Sequence, residues 1–181
     1  MTEKQKNTID NLIKLLPADD RKIFREIAEY AVELGFTPSQ IKYTHVLSDA
    51  VVFTKTKAGK SRRLCKIFPS SVGKNKELYN TGKPMLSLSF SVTKKYSNIF
   101  HEAIRQEHET LKNGFKGCKE CNIKCANPYV YRYQNGKTVL CCGSDKLMEL
   151  PPINEAYLNE IKEMMKKQSD YWMKTVFATI K

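Results

Sequence analysis

Two stretches near the amino terminus repeat apolar residues at helical spacing. Ile9, Leu12, Ile13 and Leu16 form the first stripe, and Pro17 closes it. Asp19 or Asp20 then caps a longer helix that carries Phe24, Ile27, Ala28, Ala31 and Leu34 and ends at Gly35. The two helices read as a hairpin.

From Ala50 the period changes. Val51, Val52 and Phe53, the polar turn Thr56 to Lys60, and then Leu64, Cys65, Ile67 and Phe68 read as a β-hairpin. Pro69 to Pro84 shows no period and reads as a long loop. Leu86, Leu88, Phe90 and Val92 alternate with Ser87, Ser89 and Ser91, which predicts a strand with one buried and one wetted face. Ser97 caps a helix bearing Ile99, Phe100, Ala103, Ile104 and Leu111, with Gly114 as its stop. Asn135-Gly136 suits a two-residue hairpin turn between Tyr129–Gln134 and Lys137–Cys142. Asn154 caps a final helix with Leu158, Ile161, Met165, Trp172, Val176 and Ile180 near one stripe.

The fold class implied is α+β: a small antiparallel sheet packed by helices, a Cys-rich zinc-binding β-hairpin near the carboxyl end, and a long C-terminal helix. The division is 1–113 for the core, 114–150 for the Cys-rich hairpin and 151–181 for the closing helix. At 181 residues the chain is long enough to bury a core without disulfides. Its hydrophobic fraction of 41% and charged fraction of 28% are ordinary for a globular protein. The polar start, Met1 to Asn7, has no apolar run behind it, and no stretch approaches the roughly 20 residues that span a bilayer. A reducing, cytoplasmic setting with no membrane partner is expected, and oligomeric state is not encoded.

Charge changes the picture more than composition does. The formal net charge is +12, and no acidic residue lies between Asp49 and Glu77. That window holds Lys55, Lys57, Lys60, Arg62, Arg63, Lys66, Lys74 and Lys76. A field of one sign over a hairpin and loop attracts phosphate-rich partners and makes their binding salt-dependent. Lys55, Lys57, Lys60, Arg62, Arg63, Lys74 and Lys76 are therefore the candidate contacts for nucleic acid or another polyanion. A solvated basic surface that serves solubility is the competing reading.

Five of the six cysteines fall between Cys118 and Cys142, as Cys118-x2-Cys121-x3-Cys125 followed by Cys141-Cys142. Thiolates from one tight turn share a coordination sphere that a later strand completes, the arrangement tetrahedral zinc requires. If Asn135 and Gly136 form the turn, Val130 pairs with Cys141 and Tyr129 with Cys142, so both late cysteines return beside Cys125. Cys118, Cys121, Cys125 and Cys142, or Cys141 in its place, are the expected ligands. Gly143 favours Cys142 by letting backbone amides turn toward the sulfur. Four thiolates also suit an iron–sulfur cluster, but the spacing matches neither common ferredoxin run. A closed all-thiolate site leaves no position for a reacting water, so the expected zinc is structural. The adjacent cysteine pair also admits a thiol-redox sensor. Cys65, alone in a strand, reads as a buried hydrophobe.

No catalytic constellation stands out. His101 and His108 share a helix face but lie about 10 Å apart along its axis, too far for one metal. Gly59-Lys60-Ser61 resembles the end of a phosphate-binding loop, but the required earlier glycine is Thr54, and strand rather than helix follows. Tyr129, Tyr131 and Tyr133 form a row that either packs or stacks on bases, with packing the more common outcome. The balance is against an enzyme. Two functional readings remain: a zinc-stabilised module engaging nucleic acid or another polyanion, and a small-molecule binder or enzyme with a pocket between sheet and helices, lined by Ser87, Ser89, Ser91 and the loop from Pro69 to Pro84, where the basic loop clamps an anionic ligand. The metal assignment predicts about one zinc per purified chain and a colourless protein. Metal analysis with a visible spectrum checks it, and a brown preparation would exclude zinc.

Overall fold

The computed structural model describes residues 1–41, 50–70, 82–112, 129–132, 135–136, 138–141 and 147–178. Helices α1 (Glu3–Lys14) and α2 (Arg21–Glu33) form the expected hairpin. Thr2 and Gln5 cap α1 reciprocally: the Gln5 amide donates to Thr2 Oγ1, and the Thr2 amide donates to Gln5 Oε1 at 2.7 Å. This starts α1 six residues before its first apolar position, in a segment whose sequence is merely polar. Ile9, Leu12, Ile13 and Leu16 are buried against Ile23, Phe24, Ile27, Ala28 and Ala31. Each such aliphatic side chain contributes about 1.5–3 kcal/mol on leaving water.

Strands β1 (Thr37–Ile41), β2 (Ala50–Lys57), β3 (Lys60–Phe68), β4 (Met85–Leu88) and β7 (Met148–Glu149) form one antiparallel sheet in the order β1-β2-β3-β4-β7. Helix α3 (Asn98–Lys112) precedes a separate two-stranded ribbon of β5 (Tyr129–Arg132) and β6 (Thr138–Cys141). Helix α4 (Leu158–Thr175) follows a 3-10 turn at Glu155–Tyr157, where Asn154 Oδ1 accepts from the Ala156 amide at 3.0 Å. Val51, Phe53, Leu64, Cys65, Ile67, Leu86 and Leu88 face the helices and form one core with Phe90, Phe100, Ile161, Met165 and Trp172.

A bulge in β3 governs the tip of the main hairpin. Phe53 pairs with Cys65, but the next residue, Thr54, pairs with Arg63, so Leu64 is extra. Leu64 and Cys65 both enter the core in consequence. Beyond the bulge the alternation is offset by one. Lys55 pairs with Arg62 and Lys57 with Lys60, whereas Arg63 lies opposite Thr54 on the other face.

Three expectations change. The wetted face foreseen for 86–92 is buried at two of its three serines: all four β4 residues are buried, Ser87 and Ser89 are 2% and 1% exposed, and only Ser91 is half-exposed. β4 lies between β3 and β7, and Ala50, Phe68 and Met85 form a second apolar cluster beneath the sheet. The strand also stops at Leu88, after which the Ser89 amide still donates to the Leu64 carbonyl at 2.9 Å. In the ribbon, Tyr129 pairs with Cys141 and Arg132 with Thr138, one residue out of the register derived from a two-residue turn. Five residues, 133–137, separate that last pair, and Gly136 has φ +80°, so the glycine serves a longer turn. Finally, β1 and β7 carry no alternation long enough to be seen in the sequence, and β7 joins residues 148–149 to the main sheet.

The β2–β3 turn places both central residues in the left-handed region, Ala58 at φ +51° and Gly59 at φ +72°. Such a turn matches the twist of the strands, but alanine is strained there. Ala58→Gly should stabilise the protein by about 0.5–1 kcal/mol, the relief of strain less the entropy glycine adds to the unfolded chain. Urea unfolding would show a raised midpoint at unchanged slope.

Candidate anion-binding surface

The candidate cations do not form one cluster. Lys57, Lys60 and Arg62 occupy the helix-side face of the hairpin beyond the last core residues, together with Lys55. Arg63 and Lys66 lie on the opposite face, where each makes further interactions. Lys74 and Lys76 lie outside the described residues. Lys57 and Lys60 are exposed and flank the turn, while Arg62 is half-buried and donates from Nη1 to the Ser61 carbonyl at 2.8 Å. Among the described residues, Lys57 and Lys60 meet no carboxylate.

Lys55 differs from its neighbours. Its ammonium donates to the Leu34 carbonyl at the carboxyl end of α2, sits 4.7 Å above the Phe36 ring, and lies 3.9 Å from Met173 Sδ on α4. A cation at a helix C-terminus satisfies an orphan carbonyl and meets the negative end of the helix dipole. Burial holds its pKa below the ordinary lysine value and Lys57 adds repulsion, while Asp170 acts in the opposite sense. Lys55 therefore anchors the hairpin just below its tip, and its ammonium is engaged by the protein.

A second basic segment follows β4. The chain leaving β4 continues beside β3 through the Ser89–Leu64 hydrogen bond, and Val92 donates its amide to Gln168 Oε1 on α4 at 3.3 Å. Ser91 Oγ reaches the same oxygen at 3.3 Å. Lys94 and Lys95 follow, both exposed and without a carboxylate partner among the described residues. The acid-free window ended at Glu77 and so left them out, although residues 78–101 carry no acidic residue either and would have pointed to them.

The other candidates divide clearly. Cys118, Cys121, Cys125 and Cys142 lie outside the described residues, and Cys141 enters through its backbone pairing with Tyr129. Cys65 is a free thiol fully buried in the core, where desolvation pushes its pKa far up and suppresses the thiolate. Tyr131 is buried, with its ring 4.8 Å edge-on from Phe90, so at this position the tyrosine row packs. His101 is half-buried against Tyr96 at 4.7 Å between rings; burial lowers its pKa, and a backbone hydrogen bond at Tyr96 acts the other way. The His108 side chain lies outside the described residues. A depression of about 100 Å³ is lined by Thr8, Leu12, Leu15, Gln40, Val51 and Pro69, among others. It is smaller than the roughly 300–1,000 Å³ of small-molecule sites and includes none of Ser87, Ser89 and Ser91. No described helix is long and apolar enough to cross a membrane. No protein-family model, curated protein or solved structure matches the chain.

The Lys55 anchor depends on Gly35. This residue has φ +82°, and a Cβ there would sit 3.1 Å from Lys55 Cε. Gly35→Ala should cost about 1–2 kcal/mol from the left-handed backbone alone. Thermal unfolding measures the loss.

Proposed function

We propose that this chain is a binding module that engages nucleic acid or another polyanion through the tip of the β2–β3 hairpin, with zinc on the Cys-rich segment serving structure rather than chemistry. Lys57 and Lys60 flanking a rigid turn, exposed and without carboxylate partners among the described residues, are the observation that carries this reading. Arg62 adds a guanidinium on the same face. Cations tied to carboxylates, such as Lys162 with Glu26 at 2.8 Å and Lys166 with Asp170 at 2.7 Å, have spent much of their field locally. Those at the tip have not, and phosphate groups supply the missing counter-charge.

The geometry favours recognition by charge over recognition by sequence. Lysines on a hairpin tip are flexible point charges, suited to phosphates and poorly suited to reading base edges. Binding that tracks the backbone and falls steeply with salt follows.

The combined reversal Lys57→Glu, Lys60→Glu and Arg62→Glu should abolish retention on heparin and DNA columns at low salt. Neutralising the same three to glutamine should lower the slope of log affinity against log salt by roughly 2–3, the release expected from three phosphate contacts. All three side chains lie outside the core, so the thermal midpoint should hold. Unchanged binding by the charge-reversed protein would reject the proposal.

A further inference from the structure

We infer that the binding surface extends over the last turns of α4, where Tyr171 forms a stacking platform that gives the module a preference for single-stranded nucleic acid. This rests on the polyanion reading of the hairpin and names the form of nucleic acid it takes.

Among the described residues large apolar side chains are mostly covered, and Tyr171 is an exception at 48% exposed. Its position is fixed from both sides. Three residues earlier, Gln168 is fully buried and holds Ser91 and Val92, at the start of the segment that carries Lys94 and Lys95. Two residues later, Met173 lies 3.9 Å from Lys55 Nζ, just below the tip of the basic hairpin. Along the axis Tyr171 falls within the roughly 7.5 Å from Gln168 to Met173, but around it Tyr171 lies about 60° from Gln168 and about 160° from Met173, so the ring borders the flank that holds Ser91 and Val92 while the hairpin meets the other flank. Trp172 beside it is 2% exposed and packs 6.2 Å from Phe36, which fixes the rotation of this turn on the core. Lys174 is exposed, three residues beyond Tyr171 on the same side of the helix, and meets no carboxylate among the described residues.

An exposed ring beside a cation is what a single strand needs. Its unpaired bases offer π-faces that stack on aromatic side chains irrespective of sequence, while the cations follow the phosphates. A duplex keeps its base faces stacked internally and gains nothing from the ring beyond surface contact. Hairpin lysines alone would treat both forms as polyanions, so Tyr171 is the element that separates them.

The test compares fluorescein-labelled oligo-dT of 15 nucleotides, a 15-base-pair duplex and heparin at low salt, using the full chain. Tyr171→Ala should weaken oligo-dT binding about tenfold and leave duplex and heparin binding unchanged. Tyr171→Phe should bind as the parent does, because the ring and not the hydroxyl stacks. Lys174→Gln should lower the single-strand salt slope by roughly 0.7. If Tyr171→Ala binds oligo-dT like the parent while the charge-reversed hairpin loses it, the stacking inference fails and the polyanion reading stands. Equal losses on single strand and duplex would also overturn it. A parent that binds none of the three probes would overturn both.

Discussion

Lys55 ties together the elements on which the surface depends. A charged amine at the end of a core-facing strand row is costly to desolvate, and the chain offsets that cost with the orphan carbonyl of Leu34 and the faces of Phe36 and Met173. The arrangement has a geometric consequence. It fixes the end of α2, the β2–β3 hairpin just below its tip and the last turns of α4 against one another. The tip then projects from a rigid base, and its charges act from a defined place.

The bulge at Leu64 determines which charges act together. A regular ladder from the Phe53–Cys65 pair would set Lys55 opposite Arg63 and turn Arg62 to the far face. With one residue inserted, Lys60 and Arg62 join Lys55 and Lys57 on one face, and Leu64 becomes a core residue. A packing gain and a charge arrangement thus come from the same irregularity. Either Leu64 or Arg63 is displaced if the ladder is straightened, so the core itself maintains the tip.

The sequence disclosed the helices well because their signals are local. The stripes in α1, α2 and α4, the punctuation at Pro17 and Gly35, and the cap at Asn154 need no tertiary information. The β2–β3 hairpin was equally legible from Val51 to Phe68. What stayed hidden was set by long-range contact. Ser87 and Ser89 looked like a wetted face because alternation records polarity, not burial, and a central strand can bury serines on its second side. Asn135-Gly136 suggested the shortest turn, but the same dipeptide serves a longer one, and the ribbon pairing moved by one residue. For the candidate site, the window from Lys55 to Lys76 located the hairpin but could not divide its cations between two faces. Lys94 and Lys95 lie in a second acid-free stretch, 78–101, cut off from the first by Glu77 alone, whereas Tyr171 was invisible because composition does not record the docking of α4.

The ribbon and the basic surface meet through one segment, residues 90 to 97. Phe90 holds Tyr131 edge-on, the Tyr96 hydroxyl donates to the Arg132 carbonyl and accepts from the Arg132 amide at 3.2 Å, and Ser97 gives its amide and hydroxyl to Glu160 at 2.8 and 2.7 Å. The same segment carries Lys94 and Lys95 and meets Gln168 on α4. A two-stranded ribbon has too little apolar surface to be stable alone, so β5 and β6 need these contacts. A zinc ion on the Cys-rich segment would therefore steady the loop that presents Lys94 and Lys95 without touching a ligand. A metal held there would be linked to the basic segment mechanically, through Phe90 and Tyr96, rather than through any shared chemistry.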